Sequence, residues 1–450
     1  MNNKKTSLFA DTLREKLRAE VIAKAGKLGF TSSGIADVKE YEDSIIINGQ
    51  VFGTNLKKQR AEFKEVVLKK GYDVVIDEIT YTWFNRLVAL KFMSMNKYIP
   101  IKVFSSSIEG NTEPDLLTKC LDLDFMKIDK KNLLELKTAG DDEELYKFLI
   151  LSLCNHLNTI MPFLFEKIAD YTELMFPEKL LRTDSILVDI NSIIPEEDWK
   201  EVEVIGWLYQ DYINPRKNEV FAKLKKNVKI SKENIPAATQ LFTPKWIVKY
   251  LVENSVGRLW LESNPNADLQ SKLKYFIDQE FEVPSDKVVS PEEITVLDPA
   301  MGSGHMLVYA FEVLFNIYKS QGYTESEIAQ TIINENLYGL EIDNRSTQLA
   351  GFAVVMKARE YDKDLFSKEI DLNLVAIQET PLECPIDEKK YPELSHLWKF
   401  FYDAKNYGSI LNVEGYDFNK IDEEYLSFIK SYSLPAHFDR ELSAGIIKQS

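Results

Sequence analysis

From residue 1 to about residue 225, apolar side chains return every three or four positions, the spacing that puts them on one face of an α-helix. "LREKLRAEVIAKAGKLG", "ITYTWFNRLVALKFMSMN", "MPFLFEKIADYTELMFP" and "WKEVEVIGWLYQDYIN" all show this period, so each is expected to be helical. One short exception is "SIIING", which reads as a strand running into a turn. The pattern predicts an all-helical domain over residues 1–225. Its most apolar stretch, residues 145–165, has the length of a membrane span but carries Lys147, Asn155, His156 and Asn158. A buried helix or helix pair is the expectation there, and no membrane contact.

Between residues 226 and 244 the period stops. "NVKISKENIPAATQLFTP" is polar, contains two prolines and leads into the amphipathic "KWIVKYLVENSVGRLWLE". Beyond it strand and helix patterns alternate: "ITVLD", "HMLVYAFEVLFNIYKS", "NLYGLEID", "STQLAGFAVVMKAREY" and "LNLVAIQ", with "QGYTESEIAQTIINEN" as an extra helix before the second strand. Such alternation predicts a parallel sheet covered on both faces. The fold class is therefore α/β, with a helical domain over 1–225 and a second, Rossmann-like domain over 226–450.

Composition narrows the classes. No secretory signal is visible, because Asp11, Glu15 and Glu20 interrupt the N-terminal stretch, and the expected location is the cytoplasm. Cys120, Cys154 and Cys384 lie far apart and form no CxxC pair; Cys154 and His156 are read as core residues, and no metal is expected. The net charge of −16 is unevenly placed: residues 1–70 are net +5 and residues 215–250 net +7. A local basic surface on an acidic chain can still meet phosphate.

The sharpest chemical signal is "VLDPAMGSGHML", residues 296–307. An apolar strand ends at Asp298, Pro299 and Ala300 follow, and Gly302, Ser303 and Gly304 make a turn into a helix. Ligands of such sheets bind beyond the carboxyl ends of the strands, and glycine serves where the backbone takes a positive φ or meets a ligand closely. The turn has no Gly-Lys-Ser/Thr for a nucleoside triphosphate and no third glycine for a dinucleotide. Asp298 would repel a pyrophosphate but suits an ammonium group. S-adenosylmethionine carries an ammonium, a sulfonium and a ribose and no phosphate, so it is the expected cofactor. Glu341, at the end of the second strand, is placed to accept from both ribose hydroxyls, with Ile342 against the adenine and Asp343 beside it. "FTP", Phe242, Thr243 and Pro244, precedes a helix that Thr243 can cap while holding the methionine carboxylate.

These three motifs, "ATQLFTPKWIV", "VLDPAMGSGHML" and "LYGLEID", resemble in order the cofactor-binding motifs of the γ-class amino-methyltransferases that act on adenine N6 in DNA. Longer segments, among them "EITYTWFNRLVALKFM", "PFLFEKIADYTELMFP" and "EVIGWLYQDYINPRKNEVFAKLKK", resemble the PglX methyltransferases of BREX phage-defence systems. The resemblance covers most of the chain. It implies S-adenosylmethionine-dependent adenine methylation of double-stranded DNA, with other phage-defence proteins as partners. It places Thr243 and Pro244 in the first motif, Asp298 to Gly304 in the second and Glu341 with Ile342 in the third; Met301 packs rather than reacts, and Gln378 is aligned with an adenine-edge contact.

The sequence departs from the family in one respect. The catalytic Asn/Asp-Pro-Pro-aromatic motif is missing: there is no Pro-Pro pair, and Asn214-Pro215 and Asn264-Pro265 lie upstream of the first strand. No catalytic residue is therefore assigned, and the chain is read as the N-terminal, cofactor-binding part of a longer enzyme. A catalytically silent DNA- or partner-binding form is the alternative. A small-molecule methyltransferase does not account for the large helical domain, and Glu62-Phe63-Lys64 and Glu135-Leu136-Lys137 are nuclease-like only in spacing. The unpaired edge at "ITVLD" predicts self-association.

Overall fold

The computed structural model describes residues 3–41, 44–53, 56–165, 171–231, 234–240, 243–264, 267–278, 290–377, 386–403, 411–412 and 415–431. The chain divides into two compact units, Met1–Glu219 and Val220–Ser450.

In the first unit helix α1 (Asn3–Lys27) packs against α3 (Tyr72–Met95), with α2 (Leu56–Lys70) between them in sequence. The apolar stripe of α1 repeats every fourth residue, Phe9, Leu13, Leu17 and Val21, and each is fully buried. Helix α3 is buried almost all round from Ile79 to Met93, as expected of a helix at the centre of a core. Helix α4 (Asp142–Asn158) is capped by Asp141, whose carboxylate accepts from the Glu144 N–H at 3.1 Å. It is the helix expected of the apolar stretch 145–165, and Cys154 lies in its buried face with its thiol pushed up to about 12 by burial. Helix α5 (Glu203–Leu224) runs through Pro215. Glu62 lies in α2, and Glu135 in the separate helix Lys130–Ala139.

This unit is not all-helical. Strands β1 (Phe30–Thr31) and β2 (Gly34–Ile35) pair antiparallel, and β3 (Val38–Glu40), β4 (Ser44–Ile47) and β5 (Gln50–Gly53) form a meander. The cause is turn chemistry: Asn48 and Gly49 have φ of 49° and 80°, the left-handed pair that closes a two-residue hairpin. Nor does "MPFLFEKIADYTELMFP" form one helix. Met161–Phe165 are turns, residues 166–170 lie outside the described residues, and a single helical turn follows at Tyr171–Leu174. Pro162 and Pro177 bracket the segment, and proline does not sustain a helix interior.

In the second unit α6 (Lys245–Val252) continues through a π-turn (Glu253–Gly257) into α7 (Arg258–Ser263). Strands β6 (Val296–Asp298), β7 (Leu337–Glu341) and β8 (Asn373–Ala376) form a parallel sheet in that order. Leu297 pairs with Tyr338, and Tyr338 with Asn373. Helix α8 (His305–Ser320) crosses from β6 to β7. The extra helix α9 (Glu325–Thr331) follows it, and α10 (Asn344–Tyr361) crosses from β7 to β8. A separate apolar cluster joins α11 (Pro392–Phe400) and α12 (Phe418–Ser431), with Leu394, Leu397, Ile421 and Phe428 at its centre.

The sheet is not covered on both faces by these crossovers. Helices α8 and α10 pack on each other and on the same face, the face toward which Gly339 presents its backbone to Leu307. Right-handed crossovers that step in one direction along a sheet put every helix on one side; the other side is reached only where the strand order reverses. On that other face Leu297 is 59% exposed and Tyr338 37% exposed.

Candidate active site

The glycine turn lies at the carboxyl end of β6, as its sequence implies, and the neighbouring strand holds it in place. The Met301 N–H donates to the Leu340 carbonyl at 3.0 Å, so the turn is hydrogen-bonded across to β7. Gly302 and Gly304 have φ of 55° and 84°, left-handed values that a side chain makes costly. At Gly304 space is also limiting: a Cβ there would stand 3.1 Å from both Cα and Cβ of Ala350 on α10. Gly304 is the N-cap of α8 and provides no side-chain cap. The first amides of that 16-residue helix lie at the positive end of its dipole, an end that suits a negative group.

Two carboxylates stand at the strand ends. Asp298 Oδ1 accepts from the Ala300 N–H at 3.1 Å, a local turn that fixes the side chain and leaves the second oxygen for a cation. Burial pushes its pKa up, against the pull of that hydrogen bond. Glu341 is held more firmly. Its Oε2 accepts from the Gly302 N–H at 2.8 Å, and its Oε1 from the Ile342 and Asp343 N–H groups at 2.9 and 3.1 Å. Burial again raises its pKa, outweighing the three amides that favour the charged form. A carboxylate has about four acceptor positions. Three are taken, so Glu341 can accept from one ribose hydroxyl as it stands, and accepting from both requires one amide to let go. It is a brace between turn and strand as well as an acceptor.

Asp343, beside Glu341 in the sequence, has a structural task as well. It is the N-cap of α10, its Oδ1 accepting from the Arg345 N–H at 3.1 Å. Ile342 is partly exposed between the two acids, and Ser303 Oγ lies 3.0 Å from His305 Nδ1. Pro299 and Ala300 are exposed, and Met301 is buried. Thr243 is not the cap expected of it: the N-cap of α6 is Pro244, whose carbonyl accepts from the Ile247 and Val248 N–H groups at 2.8 and 3.2 Å, and no side chain caps the helix. The proline already supplies the extended backbone of a cap position, which moves Thr243 one residue out of reach. Phe242, Gln378 and Cys384 lie outside the described residues.

Helix α6 packs along α8. Lys249 Nζ lies 4.8 Å from the centre of the Tyr309 ring, and the Tyr309 hydroxyl donates to the fully buried Glu253 carboxylate at 2.7 Å. One residue that matters to the site was passed over in the sequence. Gly339, in the middle of β7, has no room for a Cβ: the Met301 sulfur would collide with it, and Leu374 and Leu307 carbons would lie 2.9 and 3.1 Å away. An isolated glycine inside a strand signals such a close approach, and here it lets Met301 fold under the turn. Among the described residues, no group of three or more His, Cys, Asp or Glu side chains is arranged to hold a metal ion. No helix among them is long and apolar enough to cross a membrane.

Comparison with known proteins finds relatives among the methyltransferases. The DNA-methyltransferase domain family of MmeI matches residues 288–385, which contain both carboxylates and the turn. The adenine-specific methyltransferase BrxX of Escherichia coli O9:H4 (strain HS) is 38% identical over 406 residues, covering 85% of this chain and 33% of the relative. The adenine-specific methyltransferase PglX of Lacticaseibacillus casei (strain Zhang) is 34% identical over 465 residues, covering 92% of this chain and 38% of the relative. The chain thus spans about a third of the length of the curated relatives it matches.

Proposed function

From a chain homologous over most of its length to the PglX and BrxX adenine-specific methyltransferases, we propose that it carries the S-adenosylmethionine-binding part of a DNA adenine N6-methyltransferase of a phage-defence system. The observation that carries this reading is the brace of Glu341 onto Gly302 beside the constrained Asp298. It places two acids and a row of helix-terminal amides around one turn, with no basic side chain in the turn to meet a phosphate. The donor set fits the cofactor: the free oxygen of Asp298 takes the ammonium, the first amides of α8 take the methionine carboxylate, and the open acceptor position of Glu341 takes a ribose hydroxyl. Thr243 and Pro244 precede α6 and border the methionine end, and Ile342 packs on the adenine.

The cofactor supplies an electrophilic methyl group on a sulfonium. What this chain supplies is position, since a methyl in line with its acceptor is most of what such a transfer needs. The acceptor is the N6 amino group of an adenine turned out of the duplex. The grip on that base requires an Asn-Pro-Pro-aromatic segment, and these 450 residues contain no Pro-Pro pair. We therefore assign them cofactor binding and not base activation. The same observation favours a second reading, a catalytically silent form that engages DNA or phage-defence partners.

Calorimetric titration of S-adenosylmethionine tests the site. Wild-type protein is expected to bind, and Glu341→Ala to lose about tenfold or more in affinity, at least 1.4 kcal/mol. Equal binding by the variant, or none by folded wild type, overturns the reading.

A further inference from the structure

Helix α5 ends in a run of cations that the cofactor site does not use. Residues 220–230, "VFAKLKKNVKI", contain Lys223, Lys225, Lys226 and Lys229 and no carboxylate, in a chain of net charge −16. Every residue from Phe221 to Ile230 is exposed. Lysines at a helix C-terminus usually offset the dipole or hydrogen-bond the last carbonyls. Here the backbone caps itself. Asn227 has a φ of 58°, its N–H donates to the Leu224 carbonyl at 2.9 Å, and the Val228 N–H donates to the Lys223 carbonyl at 3.1 Å. That pair of bonds closes the helix end without any side chain.

A solvated lysine face is the other ordinary explanation, and the neighbours argue against it. Phe221 is 39% exposed and Val228 50% exposed, and Leu224 and Ile230 are exposed with them. Among the described residues, no carboxylate pairs with Lys225, Lys226 or Lys229. Apolar side chains exposed beside Lys225, Lys226 and Lys229 suit a partner that is anionic and also offers apolar surface. A nucleic-acid duplex has both, with one negative charge per ~1.7 Å of axis and sugar faces between the phosphates.

We propose that the end of α5 and the segment after it, Phe221 to Ile230, dock on the backbone of double-stranded DNA. Lys225, Lys226 and Lys229 meet phosphates, and Phe221 and Val228 lie against deoxyribose. The inference rests on the DNA-methyltransferase reading and deepens it: this contact holds the duplex without reading its sequence, because phosphate contacts position and base contacts specify.

The test is fluorescence anisotropy of a labelled mixed-sequence duplex with the full chain, between about 50 and 200 mM salt. The comparison is wild type against the triple variant Lys225→Gln, Lys226→Gln, Lys229→Gln. Neutral glutamine at exposed positions keeps the fold, which thermal melting and S-adenosylmethionine titration check. The expected result is weaker binding by the variant, with a plot of log affinity against log salt shallower by about 2.7, or ~0.9 per lost phosphate contact. The triple arginine variant is expected to bind like wild type. Unchanged affinity and slope in the glutamine variant overturn the proposal. So does unchanged duplex binding with loss of binding to poly-L-glutamate, which would assign the surface to an acidic protein. Wild type that binds the cofactor but no duplex also overturns it, and leaves the cofactor site standing. Duplex binding through these lysines without cofactor binding would instead overturn the site and leave this surface.

Discussion

Glu341 shows how one side chain serves two purposes here. Its three backbone hydrogen bonds tie the glycine turn to the end of β7, and the acceptor position left over is the one proposed for a ribose hydroxyl. Burial raises the pKa of both Glu341 and Asp298, and the sign of the consequence follows. A complex that needs both acids charged binds fewer protons than the free site, so cofactor affinity rises with pH and falls as pH drops through the raised values. Titration of S-adenosylmethionine at a series of pH values is expected to show the loss beginning above the ordinary carboxylate range near 4; flat affinity down to that range would count against the assignment. For folding the sign is opposite: the folded chain holds these protons more tightly than the unfolded one, so their contribution to stability declines as pH rises through the same window. Gly339 sets the packing under the turn. Gly339→Ala is expected to cost about 1–3 kcal/mol by overpacking, measured by denaturant unfolding. A double-mutant cycle with Met301→Ala is expected to recover part of it, since the Met301 sulfur is the atom in the way.

Helix ends differ in how their backbone is satisfied. Asp141 and Asp343 cap their helices through carboxylates, whereas α6 begins on a proline and α8 on a glycine, neither with a side-chain cap. The start of α8, without a side-chain cap, belongs to the proposed site, where the positive end of the helix dipole suits a negative group. At the opposite kind of terminus, Asn227 holds a left-handed conformation that ends α5. Asn227→Ala is expected to lower stability by about 1 kcal/mol, because alanine resists positive φ, while Asn227→Gly is expected to be neutral or slightly stabilising. Chemical denaturation of the two variants distinguishes them. The hairpin at Asn48-Gly49 follows the same logic: "SIIING" was legible as strand and turn, but its two partners were not, since β3 and β5 are short and mostly exposed and carry no apolar alternation of their own.

Among the described residues of the second unit, the sheet has one unpaired edge and one face that α8 and α10 leave uncovered, exposed at Leu297 and Tyr338 although Val375 on it is buried. Strand β6 pairs with β7 alone among the described residues, and Leu297 and Tyr338 lie on the face that α8 and α10 do not cover. Unpaired strand edges beside apolar side chains recruit further strands. The isolated chain is therefore expected to self-associate at working concentration, and Leu297→Lys to raise the monomer fraction. Light scattering checks both, and a clean wild-type monomer would remove the expectation.

Local chemistry was readable from the chain. The helical period over α1, α3 and α4, the bounds of α8, and the three strands of the parallel sheet follow from spacing. The turn at Gly302 to Gly304 follows from glycine's tolerance of positive φ, and the kinship with PglX from the motifs and the long segments around them. Tertiary structure alone decided what depends on residues distant in sequence. Glu341 spends three of its acceptor positions on backbone amides, one of them 39 residues away. Gly339 yields its Cβ space to Met301. Both crossover helices fall on one face because the strand order never reverses within the described sheet. Spacing along a chain encodes which face of an element is apolar; which element comes to meet that face is set by how crossovers turn in three dimensions.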